Sequence, residues 1–397
     1  MSNFVYISPN FPDNHWNFCD RLKNNGFNVF GIGDCPYDNL ANELKGALTE
    51  YYKVGSLENY DEVYRAVAYF IHKYGRIDWL DSNNEYWLEK DAKLREDFNI
   101  QNGFRPADMP PIKFKSKMKG KYTIAGVPTA RFHLVDDRAG CEKFIKEVGY
   151  PVFVKPDNGV GAERSYKIED EKELEAFLSD IKDDPTQFIM EEYIDGTIVS
   201  YDCITDSKGT PLLETGNITL GNIAEIVVNQ DSLKFLIRHD LPEELKKAGR
   251  ATLKAFGVKS RFTHFEFFQL NKDQEIGKKG DIVALEVNMR PSGGISPNMM
   301  NYANNTDVYK IWADMIAFDK LTKEISDGGY CGYFGRRNSR TYKMSDEEVR
   351  EKYKDAIVEE GHVDAALATD MGDYMFMARF DSMDELNKFF DDLAVEA

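Results

Sequence analysis

The stretch VALEVNMRPSGG, residues 283–294, alternates two kinds of side chain. Val283, Leu285 and Val287 are aliphatic, while Glu286, Asn288 and Arg290 carry a carboxylate, an amide and a guanidinium. Successive side chains of a strand point to opposite faces. The spacing therefore predicts a strand with an aliphatic face and a polar face, running out into Pro-Ser-Gly-Gly. A second alternating stretch precedes it. RFTHFEFFQL, 261–270, sets His264, Glu266 and Phe268 against Phe265 and Phe267. If the two strands pair as a hairpin centred on Ile276, Glu266 stands opposite Glu286, with Cβ atoms ~4.5–5.5 Å apart. Two ionised carboxylates that close repel unless a proton or a cation lies between them. Asn288 adds an oxygen one pleat further on. An all-oxygen set of this kind suits Mg²⁺ or Mn²⁺, which also take waters and phosphate oxygens. Arg290, at the strand's end, can meet a phosphate through two donors. The competing reading is a solvated polar face on which Arg290 pairs with one of the glutamates.

The rest of the chain sets the frame. Its 397 residues exceed what one compact core organises, so two or three domains are expected. Hydrophobic residues make up 42% and charged residues 30%, ordinary values for a globular protein. With 50 basic and 68 acidic residues the net charge is −18, which repels polyphosphate backbones and argues against nucleic acid as a partner. The cysteines, Cys19, Cys35, Cys141, Cys203 and Cys331, are odd in number, and no pair has metal-ligand spacing. That fits a reducing compartment. The start, MSNFVYISPNFPDNH, lacks the basic and apolar regions of a signal peptide. No run approaches the ~18 apolar residues of a membrane span. A cytoplasmic protein without a membrane partner is expected.

Along the first 110 residues strands and helices alternate. FVYIS (4–8) and FNVFGIG (27–33) read as strands around a helix over 13–26, with Asp13 as N-cap and Gly26 just past its end. A second helix, 59–75, leads into the strand-like IDWLDSN, 77–83. This is a parallel α/β layer. Gly31 and Gly33 form a lone G-x-G with no third glycine opening a helix, a weak dinucleotide signal. ADMPPIKFKSKMKGK (107–121), proline-rich and then basic, marks a boundary, and AGVP (125–128) ends a helix. Another shift comes near 327–340. Beyond it, two helices open with Ser345/Glu348 and Ser382/Glu385 capping boxes, and 363–380 reads as a hairpin turning at Met371-Gly372-Asp373.

Two more segments bear on chemistry. In YPVFVKPDNGVGAERSYKI (150–168) a short apolar strand ends in Lys155 and Pro156, and a glycine loop follows. A lysine on a buried strand needs an anionic partner, and glycines let backbone N–H groups approach phosphate oxygens. No G-x-x-x-x-G-K-[ST] occurs anywhere in the chain. In QFIMEEYIDG (187–196) a strand runs into acidic residues and a turn. Alone, the first reads as a β-hairpin turn with a partly exposed lysine and the second as a plain strand end with solvated acids.

Taken in order, the segments resemble the ATP-grasp superfamily, with carbamoyl-phosphate synthase large subunit, biotin carboxylase and carboxylate–amine ligases as the similar groups. The resemblance rests on a lysine before AGVP, the Val-Lys-Pro strand, the glycine loop, Glu-Glu-Tyr-Ile, Phe-Glu-Phe and Leu-Glu-Val-Asn-x-Arg-Pro. It implies an α/β and α+β chain in three parts. These are a Rossmann-like domain over 1–110, an ATP-grasp domain over 111–326 with its lid at about 125–195, and a small α+β unit over 327–397. It implies ATP bound with Mg²⁺ or Mn²⁺ under a mobile lid. Lys115 matches the first nucleotide-binding lysine by its spacing to AGVP, with Lys117 as the other choice. Lys155 matches the second, Gly159 and Gly161 the phosphate-covering loop, and Glu191, Glu192, Tyr193 and Ile194 the adenine hinge. Glu266, Glu286 and Asn288 match the metal ligands, and Arg290 the arginine at the transferred phosphoryl group. The sequence departs from the pattern where a glutamate usually meets the ribose. Thr197 and Ile198 stand there, and Asp202 is the nearest acid.

The activity so implied is ATP-dependent ligation. A carboxylate is activated as an acyl phosphate and an amine, or a thiol, then attacks it, with Arg290 and Lys155 as the catalytic cations. The partners are small-molecule carboxylate and amine substrates, and a homodimer is compatible. A non-catalytic ATP-binding protein is the alternative, and a nicotinamide-dependent oxidoreductase the weakest reading.

Overall fold

The computed structural model describes residues 1–159, 164–221, 231–363 and 367–397. Gly161, expected in the phosphate-covering loop, lies outside them. Four parallel strands build the first layer. They are β1 (Asn3–Ile7), β2 (Asn28–Gly33), β3 (Glu50–Lys53) and β4 (Trp79–Asp81), in spatial order β3-β2-β1-β4. All five residues of β1 are buried, as the apolar run FVYI requires of a parallel strand covered on both faces. The helix Tyr60–Tyr74 starts where the Asn59 side chain accepts the Glu62 N–H and stops at Gly75, whose φ is 87°. Asp13 is not an N-cap. It opens a 3₁₀ turn, Asp13–His15, that runs into the helix Trp16–Asn24. Pro12, with φ fixed near the helical value, starts the turn early. Gly31 and Gly33 serve packing. A Cβ at Gly31 would lie 2.8 Å from Leu48 Cδ1, and one at Gly33 would lie 2.5 Å from the Tyr51 hydroxyl oxygen.

The second layer is a small antiparallel sheet of β5 (Phe132–Leu134), β6 (Val152–Pro156), β7 (Tyr166–Ile168) and β8 (Phe188–Glu192), in order β5-β8-β6-β7. Its alternation divides it cleanly. Val152, Val154, Phe188 and Met190 pack under the helices Arg138–Val148 and Glu171–Asp180. Phe153, Lys155, Ile189 and Glu191 are thereby left for the other face.

The third layer contains β9 (Gly196–Thr205), β10 (Pro211–Thr219), β11 (Leu233–Arg238), β12 (Arg261–Leu270), β13 (Ile282–Asn288), β14 (Tyr330–Arg336), β15 (Ile357–His362) and β16 (Tyr374–Phe380). They form one antiparallel sheet in the order β13-β12-β9-β10-β11-β14-β16-β15. The C-terminal strands thus extend the sheet that carries the opening stretch. The expected 363–380 hairpin is displaced. Its first strand is β15, and Ala368–Met371 is a helical turn. IVEEGH holds the extended segment that pairs with β16, and residues 364–366 of the expected first strand lie outside the described residues. Ser345 makes the full capping box with Glu348, and Ser382 accepts the Glu385 N–H.

An apolar core and an ion cluster are among the contacts that join the parallel layer to the large sheet. One apolar core contains Phe4, Tyr6 and Phe18 together with Phe262, Tyr309, Trp312 and Tyr333. In addition, Asp81 at the end of β4 holds Arg95 Nη2 at 3.0 Å and Arg261 Nη1 at 2.6 Å. Arg261 is the first residue of β12, so the strand bearing Glu266 is anchored at its origin.

Candidate functional site

β12 and β13 pair as the sequence implies, with His264 opposite Asn288 and Glu266 opposite Glu286. The Glu266 and Glu286 side chains keep 31% and 22% of their surface exposed. Burial pushes both carboxyls up. For Glu266 the neighbouring His264 overrides burial and holds the group below its ordinary value. For Glu286 burial wins over the Lys115 ammonium, and the facing Glu266 charge adds to it, so this carboxyl sits above its ordinary value. Two like charges on one face have thus been pushed apart in proton affinity.

Below this pair the register shifts. Phe267 pairs with Ala284, so Leu285 is the extra residue of a β-bulge. The expectation that Val283, Leu285 and Val287 share a face is corrected here. Val287 and Ala284 join Phe265 and Phe267 in the core on one side. Val283, opposite Phe268, joins Ala130, Ile194 and Leu270 on the other. The bulge gives the polar face an apolar floor beside the carboxylates.

The small sheet and the helix Lys115–Ala125 together supply the opposite charge. Lys155 Nζ lies 2.8 Å from Glu191 Oε2, and Lys119 Nζ donates to Glu191 Oε1 and, at 3.0 Å, to Thr129 Oγ1. All three charged groups are buried. Burial would raise the Glu191 carboxyl, but the two ammonium groups bring it down to about 2. Burial lowers Lys119. For Lys155 burial is outweighed by Glu191 and Glu286, and the ammonium is held above its ordinary value. Two lysines share one carboxylate here, a buried cluster with one positive charge in excess.

The helix Lys115–Ala125 links the two faces. Lys115, Met118, Lys119 and Tyr122 are its buried residues. Asp157, just after β6, fixes the helix start. Its carboxylate accepts the Ser116 N–H at 2.7 Å and the Ser116 hydroxyl at 2.8 Å, and its carbonyl accepts the Lys115 N–H at 2.9 Å. Lys115 Nζ then reaches Glu286 Oε1 and the Gly159 carbonyl, each at 3.3 Å. Lys117, the other choice by sequence, is exposed over the Phe114 ring and is not brought into the cluster.

Arg290 donates to the Asn288 Oδ1 at 3.2 Å and the Pro291 carbonyl at 2.8 Å, and its Nε lies 3.8 Å from Glu85 Oε2. Glu85 comes from the loop after β4 and also holds Lys113 Nζ at 2.7 Å. Asn14, after β1, donates to the Gly294 carbonyl at 2.9 Å. The Pro-Ser-Gly-Gly turn therefore faces the carboxyl ends of β1 and β4. Buried, His15 is held down to about 3 by desolvation and by Arg290.

Two expectations about the nucleotide change. Asp202 is fully buried, with Oδ1 2.7 Å from His264 Nδ1 and Oδ2 accepting the Ser200 hydroxyl. It has no surface to offer a ribose, because its strand pairing points it into the sheet beside His264. The Glu191 side chain is committed to the lysines, and that of Glu192 to Arg131, whose backbone N–H and guanidinium donate to it at 2.7–2.9 Å. Any hinge contact is left to the backbone of this segment. Tyr193 is exposed and Ile194 joins the apolar cluster. Sequence reasoning missed Lys119, Arg131 and Glu85. Lys119 was within reach, since it follows Lys115 by one helical repeat of four. Nothing local marks Glu85.

A family model, the ATP-grasp domain, matches residues 126–294. The D-alanine–D-alanine ligase A of Clostridium perfringens is 36% identical over 135 residues, 31% of this chain and 44% of that protein. The carbamoyl phosphate synthase large chain of Clostridium acetobutylicum is 25% identical over 177 residues, 42% of this chain and 15% of that one. This chain spans less than two thirds of the length of the curated relatives it matches. Among solved structures, an L-amino acid ligase from Bacillus licheniformis superposes with a TM-score of 0.73 at 16% identity, covering 99% of this chain and 97% of that one. An ADP complex of N5-carboxyaminoimidazole ribonucleotide synthetase gives 0.69 at 13%, covering 99% and 95%. These likenesses, at 13–16% identity, concern the fold.

Proposed function

With an ATP-grasp domain occupying residues 126–294, we propose that the chain is an ATP-dependent ligase that activates a carboxylate as its acyl phosphate, joins it to an amine and releases ADP and phosphate. The observation that carries this reading is the opposition of Glu266 and Glu286 beside Lys155 of the small sheet and Lys119 of the helix, which share Glu191. The donor set of Glu266, Glu286 and Asn288 is all oxygen and fits Mg²⁺ or Mn²⁺. When bound, the ion supplies the charge that lets a triphosphate approach two carboxylates.

The chain's own groups have separate tasks. Lys155 and Lys119, in excess over Glu191, attract phosphate oxygens. Lys115 sits between Glu286 and the Gly159 carbonyl, so it can leave the carboxylate for a phosphate as a nucleotide enters. Arg290, a permanently charged fork, stands where the carboxylate strand gives way to the Pro-Ser-Gly-Gly turn. It balances charge as the acceptor carboxylate takes the γ-phosphoryl group and, later, as the amine displaces phosphate. The apolar cluster of Ile194, Val283, Leu270 and Ala130 suits an adenine ring. The acceptors would lie at the carboxyl ends of β1 and β4, facing Arg290, the side on which open parallel sheets bind ligands. Positioning and charge neutralisation carry the reaction, and no protein nucleophile is required.

We further propose the division 1–110, 111–326 and 327–397, with the last part completing the large sheet. Five free cysteines, four of them buried, suit a reducing cytoplasm. Among the described residues no helix is long and apolar enough to cross a membrane. One observation favours the alternative of a non-catalytic nucleotide binder, namely the diversion of Asp202 away from any ribose. A screen of ADP release against amino acids and small carboxylic acids, with mass spectrometry of conjugates, separates the two. The ligase reading expects ADP and a conjugate lighter by one water than the acid and amine together. ATP binding without ADP from any acid would favour the alternative.

A further inference from the structure

Beneath Glu266 a row of polar side chains spans β9 and β12, with a backbone N–H of β10 at its far end. The Asn217 N–H on β10 donates to Ser200 Oγ at 2.9 Å, and the Ser200 hydroxyl donates to Asp202 Oδ2. Asp202 Oδ1 lies 2.7 Å from His264 Nδ1, and His264 Nε2 lies 3.2 Å from Glu266 Oε1. Register explains the row. Ser200 stands opposite Glu266 and Asp202 opposite His264 across β9 and β12, so all four side chains share one face. Ser200, Asp202 and His264 are each at least nine-tenths buried. Buried polar groups are costly unless every bond is made, and here each member satisfies the next until the row ends on a carboxylate that is partly open. Glu286 is held differently. Its ion-pair partner is the Lys115 ammonium, 3.3 Å away and borne by a helix rather than by the sheet.

From this asymmetry we infer that His264, fixed by Asp202, is a positioning residue for Glu266: it engages Oε1 and leaves Oε2 as the oxygen presented to the divalent ion. Glu266 is then the ligand set in advance by the sheet, and Glu286 the ligand released to the ion as Lys115 turns to a phosphate. The inference rests on the reading of Glu266 as a metal ligand. Groups that orient metal ligands through hydrogen bonds typically contribute ~10–100-fold to metal affinity, and that is the size of effect expected here.

The test measures Mn²⁺ affinity of the full chain in the presence of ADP, by electron paramagnetic resonance of the free ion. ADP affinity without metal and the thermal midpoint are recorded beside it. His264→Asn, whose shorter side chain falls short of Glu266, should weaken Mn²⁺ binding ~10–100-fold while metal-free ADP affinity stays unchanged. His264→Gln, which keeps a donor within reach of Glu266, should recover most of the loss. Unchanged Mn²⁺ affinity in His264→Asn, or equal losses in the Asn and Gln variants, would overturn the inference. If His264→Asn does not fold, Asp202→Asn decides: a weakened Mn²⁺ site in a folded variant supports the row, and an unweakened one refutes it. Glu266→Gln separates the two levels of argument. Retained Mn²⁺ affinity there would remove the ligand role itself, and with it the inference. Loss there with no loss in His264→Asn would remove only the positioning role.

Discussion

The two faces of the site solve opposite electrostatic problems. On the small sheet, two lysines close on one glutamate, and Glu191 is held down to about 2. On the large sheet, two glutamates face each other, and Glu286 is held above its ordinary value. The first face is a satisfied cluster with positive charge to spare. The second is a repulsion that His264, Lys115 and Lys155 relieve in part, with Glu286 still held up. An anion would complete the one and a cation the other, which is why a metal-bound triphosphate is the ligand proposed for both. The contrast teaches that removing a carboxylate should have opposite effects on stability according to which face it comes from.

The largest effect should come from Glu286→Gln. We expect ADP formation to fall to background under Mg²⁺ and the thermal midpoint to stay level or rise. The sign follows from linkage. A carboxyl whose pKa is raised on folding is destabilising when ionised, so replacing it with a neutral amide relieves repulsion. Full turnover in this variant would break the comparison on the metal side. Next is Arg290→Ala. It should lower turnover ~10²–10³-fold, by analogy with lost donors to a developing charge, while the dissociation constant for ATP changes much less. Affinity lost in full proportion to rate would move Arg290 into ground-state binding.

Glu191→Gln should act in the reverse sense to Glu286→Gln. Removing the shared partner of two buried ammonium groups should cost ~3 kcal/mol or more, measured by urea unfolding. The native cluster also has a pH signature. Because the Glu191 carboxyl is depressed on folding, its contribution is complete above the ordinary carboxylate range near 4.5 and is lost as pH falls toward about 2. Stability of the parent chain should therefore drop through that window more steeply than that of Glu191→Gln. Parallel pH profiles would show that the ion cluster is not what holds the small sheet to the helix. The smallest effect is reserved for Asp202→Asn. If Asp202 faces His264 and not a ribose, metal-free ADP affinity should stay within about twofold, well under the ~1.4 kcal/mol that a tenfold change represents.

Much of the site was legible because two strands advertise their faces. The alternation of THFEF and LEVN fixed the opposition of Glu266 and Glu286, and the centre at Ile276 carried the register. The bulge at Leu285 was not legible, since Val-Ala-Leu-Glu contains no glycine or proline to mark it. In KFKSKMKGK, lysines recur at every second position, a pattern that hides which of them a helix turns inward. Only the observed helical phase selects Lys115 and Lys119 and leaves Lys117 in solvent. Asp202 shows the limit of proximity along the chain. It stands close after the hinge in sequence, yet β9 places it under the carboxylate floor. Glu85 depends on the docking of the parallel layer, which pairs residues some two hundred positions apart and has no local signature.

In the proposed ligation a substrate carboxylate receives the phosphoryl group. Once the screen has supplied an acid and an amine, the direct measurement is turnover with the acid labelled at its carboxylate by oxygen-18, followed by mass analysis of the released phosphate. Transfer through an acyl phosphate predicts one labelled oxygen in each phosphate formed. Unlabelled phosphate, produced at the same rate as the conjugate, would contradict it.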